Sequence, residues 1–427
     1  MEKKKVAFYT LGCKVNQYET SAMEQSFIEN GYSICNLNEK PDVAVVNTCT
    51  VTNISDRKSR QVIRKIKDDN GNVIVVAVGC YVQVAKEKIN EMEEIDLVLG
   101  NTEKKEIVKY LEKYIREQNK ILDVSDISKE KEFTDFGVVI YSEKTRANIK
   151  IQDGCNNFCS YCLIPYARGR IRSRKKESVI EEVEKIAKKG IKEVVITGIH
   201  IASYGKDFKE KYLLIDLLED LNKINGIERI RLGSLEPTIV TEDFAKRLSK
   251  LEKICNHFHL SLQSGCDETL KRMNRHYTTS EFERVTDILR KYFEDVKLTT
   301  DIIVGFPGET EEEFNKTYEF LKKVKFYKMH IFKYSKRDET VAASMPNQVD
   351  GRKKEERSNK LIELSDKNEE EYKKEYIGKE LEVLVEERQG EYYVGHTTNY
   401  IMVKFESHEI LDNKIVKVKI KDLCFFK

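Results

Sequence analysis

The sequence predicts an α/β protein in three parts: an N-terminal open parallel α/β sheet, a central partial (β/α)6 barrel, and a small C-terminal all-β barrel. Three observations predict it. Val- and Ile-rich runs alternate with helix-periodic stretches through residues 1–120. The alternation restarts at Thr145 and continues for six more β/α units. After Gly378 the helical period vanishes and short alternating strands replace it.

In the first part, Val6–Thr10, Val43–Asn47, Val73–Val78 and Ile95–Leu99 read as buried parallel strands. Ser21–Asn30, Ile54–Asp68 and Val84–Glu91 carry the helical period between them, and Gly31 is placed to end the first helix. Residues 121–144 hold no strong period and read as a connector with room for one short strand. The core expected over 145–350 has strands Asn148–Gln152, Glu193–Thr197, Arg229–Gly233, Phe258–Leu262, Lys297–Val304 and His330–Tyr334. Helical stretches at Ser178–Lys188, Tyr212–Lys223, Glu242–Lys250, Ser280–Lys291 and Glu311–Lys322 separate them. Six units are too few for the eight of a closed barrel, so an open one is expected. Residues 351–376, dense in Lys and Glu at i,i+4 spacing, read as a solvated helix. Residues 377–427 carry the strands Leu381–Glu386, Tyr392–Thr397, Ile401–Phe405 and Ile415–Ile420 of a small barrel.

Composition narrows the function only by exclusion. Charged residues are 35% of the 427, yet the net charge is +2, so any nucleic-acid surface must be local. There is no apolar run of about 20 residues to span a membrane, and MEKKKVAFYT shows no secretory pattern. A cytoplasmic, reducing location follows as the expectation, in which ten cysteines are ligands or buried residues rather than disulfides.

Cys155, Cys159 and Cys162 follow a predicted strand in the segment Asp153-Gly-Cys-Asn-Asn-Phe-Cys-Ser-Tyr-Cys162. Three thiolates so close can wrap one iron–sulfur cluster and leave one iron open for a small molecule. A zinc knuckle short of its fourth ligand is the competing reading, and no second C-x-x-C pair follows to support it. Cys13, Cys49 and Cys80 lie far apart in sequence, but each comes just after a predicted strand. Side chains at the carboxyl ends of parallel strands converge, so these three read as ligands of a second open cluster, against a bland alternative of independent buried cysteines. Cys35, Cys255, Cys266 and Cys424 show no such pattern and read as structural.

Further groups fall at the ends of core strands, where barrels keep their active sites. Gly198 would let a ligand approach the backbone, and Ser234-Leu-Glu236-Pro, Ser261-Leu-Gln263-Ser-Gly and Thr300-Asp301-Ile-Ile-Val-Gly continue the series. Arg168, Arg170, Arg172 and Arg174 alternate after the cysteine loop; they suit bidentate phosphate pairing, Arg168 or Arg170 equally suits a bridge between clusters or a cofactor's carboxylate, and a merely solvated charged strand is the bland alternative. His200, His257, His259 and His330 lack ligand spacing and read as core or surface residues.

The C-x3-C-x2-C loop, with an aromatic residue before its last cysteine, resembles the radical S-adenosylmethionine (SAM) superfamily. Together with Cys13, Cys49, Cys80 and the C-terminal strands, it makes nearly the whole chain similar to the radical SAM methylthiotransferases. Leu11-Gly-Cys-Lys-Val-Asn-Gln-Tyr-Glu-Thr20 and the Cys155–Arg170 segment resemble the MtaB-type branch; branches acting on isopentenyladenosine or a ribosomal protein differ after Cys13. The resemblance implies two 4Fe–4S clusters, SAM as radical source and methyl donor, and a C-terminal TRAM domain that grips RNA. It also implies contact between Glu236 and SAM, and family motifs around Gln263 and Asp301. The implied substrate is N6-threonylcarbamoyladenosine in the anticodon loop of tRNA, methylthiolated at carbon 2. A reductant such as flavodoxin or ferredoxin and a sulfur donor are the further partners, with no membrane. A non-enzymatic iron–sulfur protein that binds RNA or senses redox state is the alternative of another class; it would never cleave SAM.

Overall fold

The computed structural model describes residues 3–139 and 145–426, so the end of the expected connector, 140–144, lies outside the described residues. Strands β1 (Lys5–Thr10), β2 (Ser33–Ile34), β3 (Val43–Thr48), β4 (Ile74–Gly79), β5 (Leu97–Leu99) and β6 (Ile121–Asp123) form one parallel sheet in the order β2-β1-β3-β4-β5-β6. Val45, Val46, Val76 and Val78 are essentially inaccessible because helices cover both faces, which is why these strands read as continuous apolar runs. The sheet runs past residue 120, since Ile121 pairs with Leu97. The first helix starts earlier than its apolar period suggests, covering Lys14–Glu29, and Gly31 follows it at φ +87°. Helix Ile107–Glu117, which sequence reading did not single out, packs Ile107 and Leu111 under the sheet.

The core continues with β7 (Arg146–Asp153), β8 (Arg172–Ser173), β9 (Glu193–Gly198), β10 (Arg229–Leu232), β11 (His257–Gln263), β12 (Lys297–Val304) and β13 (Lys328–Lys333). β10, β9 and β7 run parallel, as do β11, β12 and β13. Parallel bridges Ile230–Ile254 and Leu235–Leu260 join the two groups. Leaving aside the short antiparallel β8, six strands thus curve into the expected open barrel. The helices on its outside begin cleanly: Thr278 with Glu281, and Thr310 with Glu313, form reciprocal capping boxes.

Helix Gly351–Lys374 departs from the expected solvated helix. Leu361, Leu364, Ser365 and Asn368 form a buried stripe along it; Met329 N donates to Ser365 Oγ at 2.9 Å, and Asn368 donates to the Phe326 carbonyl at 3.1 Å. Two leucines and small polar groups suffice for this face, so bulk polarity concealed it. Beyond it, β14 (Glu380–Gln389), β15 (Tyr392–Thr397), β16 (Met402–Glu406) and β17 (Ile415–Lys419) form an antiparallel sheet in the order β16-β15-β14-β17. This sheet docks on the barrel through Arg229 and Arg231, which donate to the carbonyls of His396, Thr397 and Thr398. Among the described residues no helix is long and apolar enough to cross a membrane.

Candidate active site

β7 ends at Asp153, and the chain turns at Gly154 (φ +73°), where an added Cβ would sit 1.8 Å from the Arg170 carbonyl oxygen. Only glycine fits such a turn. The loop is then pinned from several sides: Cys155 N donates to Gly169 O and Ser160 N to Met273 O, each at 3.0 Å. Asn274 donates to the carbonyls of Asn157 and Phe158 at 3.2 and 3.0 Å. Three N–H groups point at the sulfurs: Asn157 N to Cys155, Ile164 N to Cys162, and Arg275 Nη1 to Cys159 at 3.3 Å. Burial pushes the Cys155 and Cys162 thiols up to about 11 and about 12, so loading metal here must release protons.

Arg275, which sequence reading did not single out, organises the surroundings. Its Nη2 holds both oxygens of Glu236 at 2.8 and 2.9 Å and the Ser261 carbonyl at 3.1 Å. Burial alone would raise the Glu236 carboxyl, but His200 and Arg275 outweigh it and hold it below its ordinary value. Glu236 is therefore an ionised acceptor near the loop. Gly198 ends β9 against Gln152, whose backbone oxygen would lie 2.9 Å from an added Cβ. Gln263 adopts φ +70° after an irregularity in β11. Asp301 has different company: His259 at 3.1 Å, and His330.

The other three cysteines gather at neighbouring strand ends. Thr10 registers with Asn47, and Thr48 with Gly79, which places Cys13, Cys49 and Cys80 side by side across the point where strand order reverses. Gly12 packs so closely on Cys49 that an added Cβ would lie 3.0 Å from its Sγ. Cys13 is exposed, whereas Cys49 and Cys80 are buried, and burial pushes the Cys49 thiol up to about 11. The Cys49 segment is tied to the core by Arg337, which donates to Thr50 at 2.7 Å and pairs with Asp56 at 2.6 Å.

A buried charged cluster lies between the two sets. Arg168 ends the short helix Ile164–Arg168, directly after the cysteine loop, and is wholly inaccessible. Its Nε donates to Cys80 Sγ at 3.1 Å, and its Nη2 to Asn16 at 2.6 Å and Glu19 at 2.9 Å. Lys150 Nζ lies 2.7 Å from Glu19 and 2.6 Å from Asp153; Lys104 also pairs with Glu19. Burial opposes ionisation of both acids, yet the cations overcome it: Glu19 lies well below the ordinary range and Asp153 is brought to about 2. Lys104, Lys150 and Arg168 thus face two carboxylates, leaving an excess positive charge that favours an anionic neighbour. Soft thiols, N–H donors to sulfur and this positive surplus together fit iron–sulfur clusters at both sets.

The alternating arginines divide accordingly. Arg172 and Arg174 are buried like Arg168, and Arg174 pairs with Glu182, so none of the three is presented to RNA phosphates. Arg170 alone is exposed, stacked 4.4 Å from the Phe158 ring centre.

Below these sets the open barrel holds a cavity of about 480 Å³, lined by Lys14, Arg231, Ser234, His257, His259, Asp301, His330 and residues of the C-terminal sheet. Tyr400 closes one side, stacked on His257 and His396 with ring centres 4.8 and 4.6 Å away. The histidines meet here because residues 257 and 259 share one face of β11, an i,i+2 signal present in the sequence.

Two family profiles match: "Radical SAM superfamily" over residues 149–321 and "Uncharacterized protein family UPF0004" over 5–100. The threonylcarbamoyladenosine tRNA methylthiotransferase MtaB of Bacillus subtilis (strain 168) is 44% identical over 97% of this chain and 93% of its own. The Aquifex aeolicus (strain VF5) protein of the same name is 44% identical over 97% of this chain and 100% of its own. A tRNA-2-methylthio-N(6)-dimethylallyladenosine synthase from Thermoanaerobacter sp. (strain X514) is 37% identical over 97% and 89%. Among solved structures, the radical SAM methyltransferase TsrM from Kitasatospora setae superposes with a TM-score of 0.60 at 16% identity, over 80% of this chain and 77% of that one, a likeness of fold.

Proposed function

Because the chain belongs to the radical SAM methylthiotransferase family, we propose that Cys155, Cys159 and Cys162 hold the SAM-cleaving cluster and Cys13, Cys49 and Cys80 an auxiliary one, in an enzyme that methylthiolates carbon 2 of N6-threonylcarbamoyladenosine in tRNA. The observation that carries the assignment is Arg168, whose guanidinium reaches from the end of the helix after the cysteine loop to Cys80, so that the segment following one thiol set contacts the other.

Carbon 2 of adenine bears a C–H bond too weakly acidic for any side-chain base. When bound, a cluster on Cys155, Cys159 and Cys162 would supply, with SAM, the one-electron chemistry able to remove this hydrogen, and one on Cys13, Cys49 and Cys80 would supply sulfur-transfer chemistry. The chain's own residues orient and enclose. Asn274 and Ser160 fix the loop, so that its sulfurs stay in place during electron transfer. Glu236, held ionised by Arg275 and His200, offers SAM an oriented acceptor. Arg168, backed by Lys150 and Lys104, provides fixed positive charge beside Cys80, the three cations themselves being sealed from bulk water.

The adenosine must leave its stack to reach this interior, at a cost of a few kcal/mol. The C-terminal sheet serves as the RNA-gripping, TRAM-like part. Lys417, Lys419 and Lys421 project from the solvent side of β17 and its continuation while Val418 points inward, and Tyr392 stacks under Lys404 at 4.0 Å. A one-electron reductant, flavodoxin- or ferredoxin-like, and a sulfur donor complete the cycle. Mass spectrometry of tRNA nucleosides from cells with and without the gene tests the reading. Loss of the methylthio form of threonylcarbamoyladenosine on deletion supports it; an unchanged nucleoside profile rejects it.

A further inference from the structure

We propose that Lys14 reads the substituent on the substrate base, pairing with the free carboxylate of its threonylcarbamoyl group inside the barrel cavity. The inference rests on the function proposed above and concerns how that substrate is told from its apolar counterpart.

Lys14 immediately follows Cys13, so whatever it binds lies next to the sulfur-transfer site. Its side chain is exposed and lines the same cavity as His257, His259 and His330. The other cations of this wall have carboxylate partners: Arg231 with Glu193 at 2.7 Å, Lys328 with Glu369 at 3.0 Å, and His259 beside Asp301 at 3.1 Å. Lys14 has no ion pair among the described residues; Glu193 acts on it, but is engaged by Arg231 and Arg146. A second observation points the same way. His257 is 94% buried, donates to or accepts from Thr299 Oγ1 at 3.0 Å through Nε2, and leaves Nδ1 without a partner. The cavity wall therefore carries one ammonium without a carboxylate partner and, buried beneath its surface, one unsatisfied imidazole nitrogen, which together suit an anionic, hydrogen-bonding ligand.

A divalent metal on His259, Asp301 and His330 suits this wall less well, since Lys14 and Arg231 would repel it. A dimethylallyl group would cover Lys14 and offer it no partner. A threonylcarbamoyl group carries the carboxylate that Lys14 lacks, together with a hydroxyl and a urea-like amide for the histidines. Two relatives named for threonylcarbamoyladenosine and one named for dimethylallyladenosine frame the same choice.

The test compares two RNAs on each protein: anticodon stem-loops bearing threonylcarbamoyladenosine or its methyl ester, titrated anaerobically against the cluster-loaded enzyme. Wild type should prefer the free acid about ten- to a hundredfold, the scale of one charge-assisted hydrogen bond. Lys14→Met should bring that ratio close to one, and Lys14→Arg should keep most of it. Because the readout is a ratio within one protein, a general loss of RNA affinity or of cluster lowers both titrations and leaves the ratio intact. A Lys14→Met enzyme that still prefers the acid as wild type does would overturn the assignment, as would a wild type without preference. Failure of the underlying function shows separately, as a wild-type enzyme that forms no methylthiolated nucleoside from the acid-bearing RNA.

Discussion

The two cysteine sets reach similar ends by opposite means. Cys155, Cys159 and Cys162 come from one loop, closed on itself by the tight turn at Gly154 and the bond to Gly169, and pinned to the barrel through Met273 and Asn274. Cys13, Cys49 and Cys80 come from three strands, and only sheet register brings them together. A loop that keeps its three cysteines within eight residues needs only its own turn and one barrel wall. A set spread over three strands exists only when the whole sheet is folded. On the proposed assignment, radical generation would depend on one loop and its barrel wall, and sulfur insertion on the folded N-terminal sheet.

Substitutions can break that contrast in order of severity. Cys155→Ala should abolish SAM cleavage altogether, read as absence of 5′-deoxyadenosine in anaerobic incubation with a reductant. Cys49→Ala should still form 5′-deoxyadenosine but release no methylthiolated nucleoside; product from that variant would place the sulfur-transfer site elsewhere. Arg168→Met removes the cation that reaches Cys80, takes away the positive surplus of the cluster and strips Glu19 and Asn16 of buried hydrogen bonds. It should cost about 3–5 kcal/mol of stability in denaturant unfolding, the usual penalty for breaking a buried ion pair. Arg168→Lys should recover only part of this, because an ammonium cannot serve Cys80, Asn16 and Glu19 in one plane. Lys417→Ala lies outside both sets. It should weaken tRNA binding modestly and reduce the salt slope of log K by about 0.7–0.9, while SAM cleavage stays as in wild type.

The same contrast explains what could be read in advance. The loop trio is a local spacing, and the strand-end trio follows from apolar runs that stop just before each cysteine, so both were visible in the sequence, as was the six-strand open barrel. The Glu19–Lys104–Lys150–Arg168 cluster was not. Its members are ordinary charges on separate segments, and only the docking of helix Lys14–Glu29 against β7 buries them together. Arg275 escaped notice for a related reason: it follows a short helix that the apolar period does not mark, and its partners Glu236 and Cys159 are distant in sequence. Alternation of Arg168 through Arg174 suggested an RNA-facing strand, but three of these side chains turn inward because buried acids await them. Helix Gly351–Lys374 concealed its buried stripe behind an excess of Lys and Glu.

The most direct test of the division of labour is an iron count on a chain in which Cys13, Cys49 and Cys80 are all alanine, after anaerobic reconstitution. On the proposed assignment two four-iron clusters would give the wild type about eight irons per chain. The account predicts that the triple variant keeps about half that iron and still yields 5′-deoxyadenosine. Iron unchanged from wild type, or lost entirely together with SAM cleavage, would contradict it.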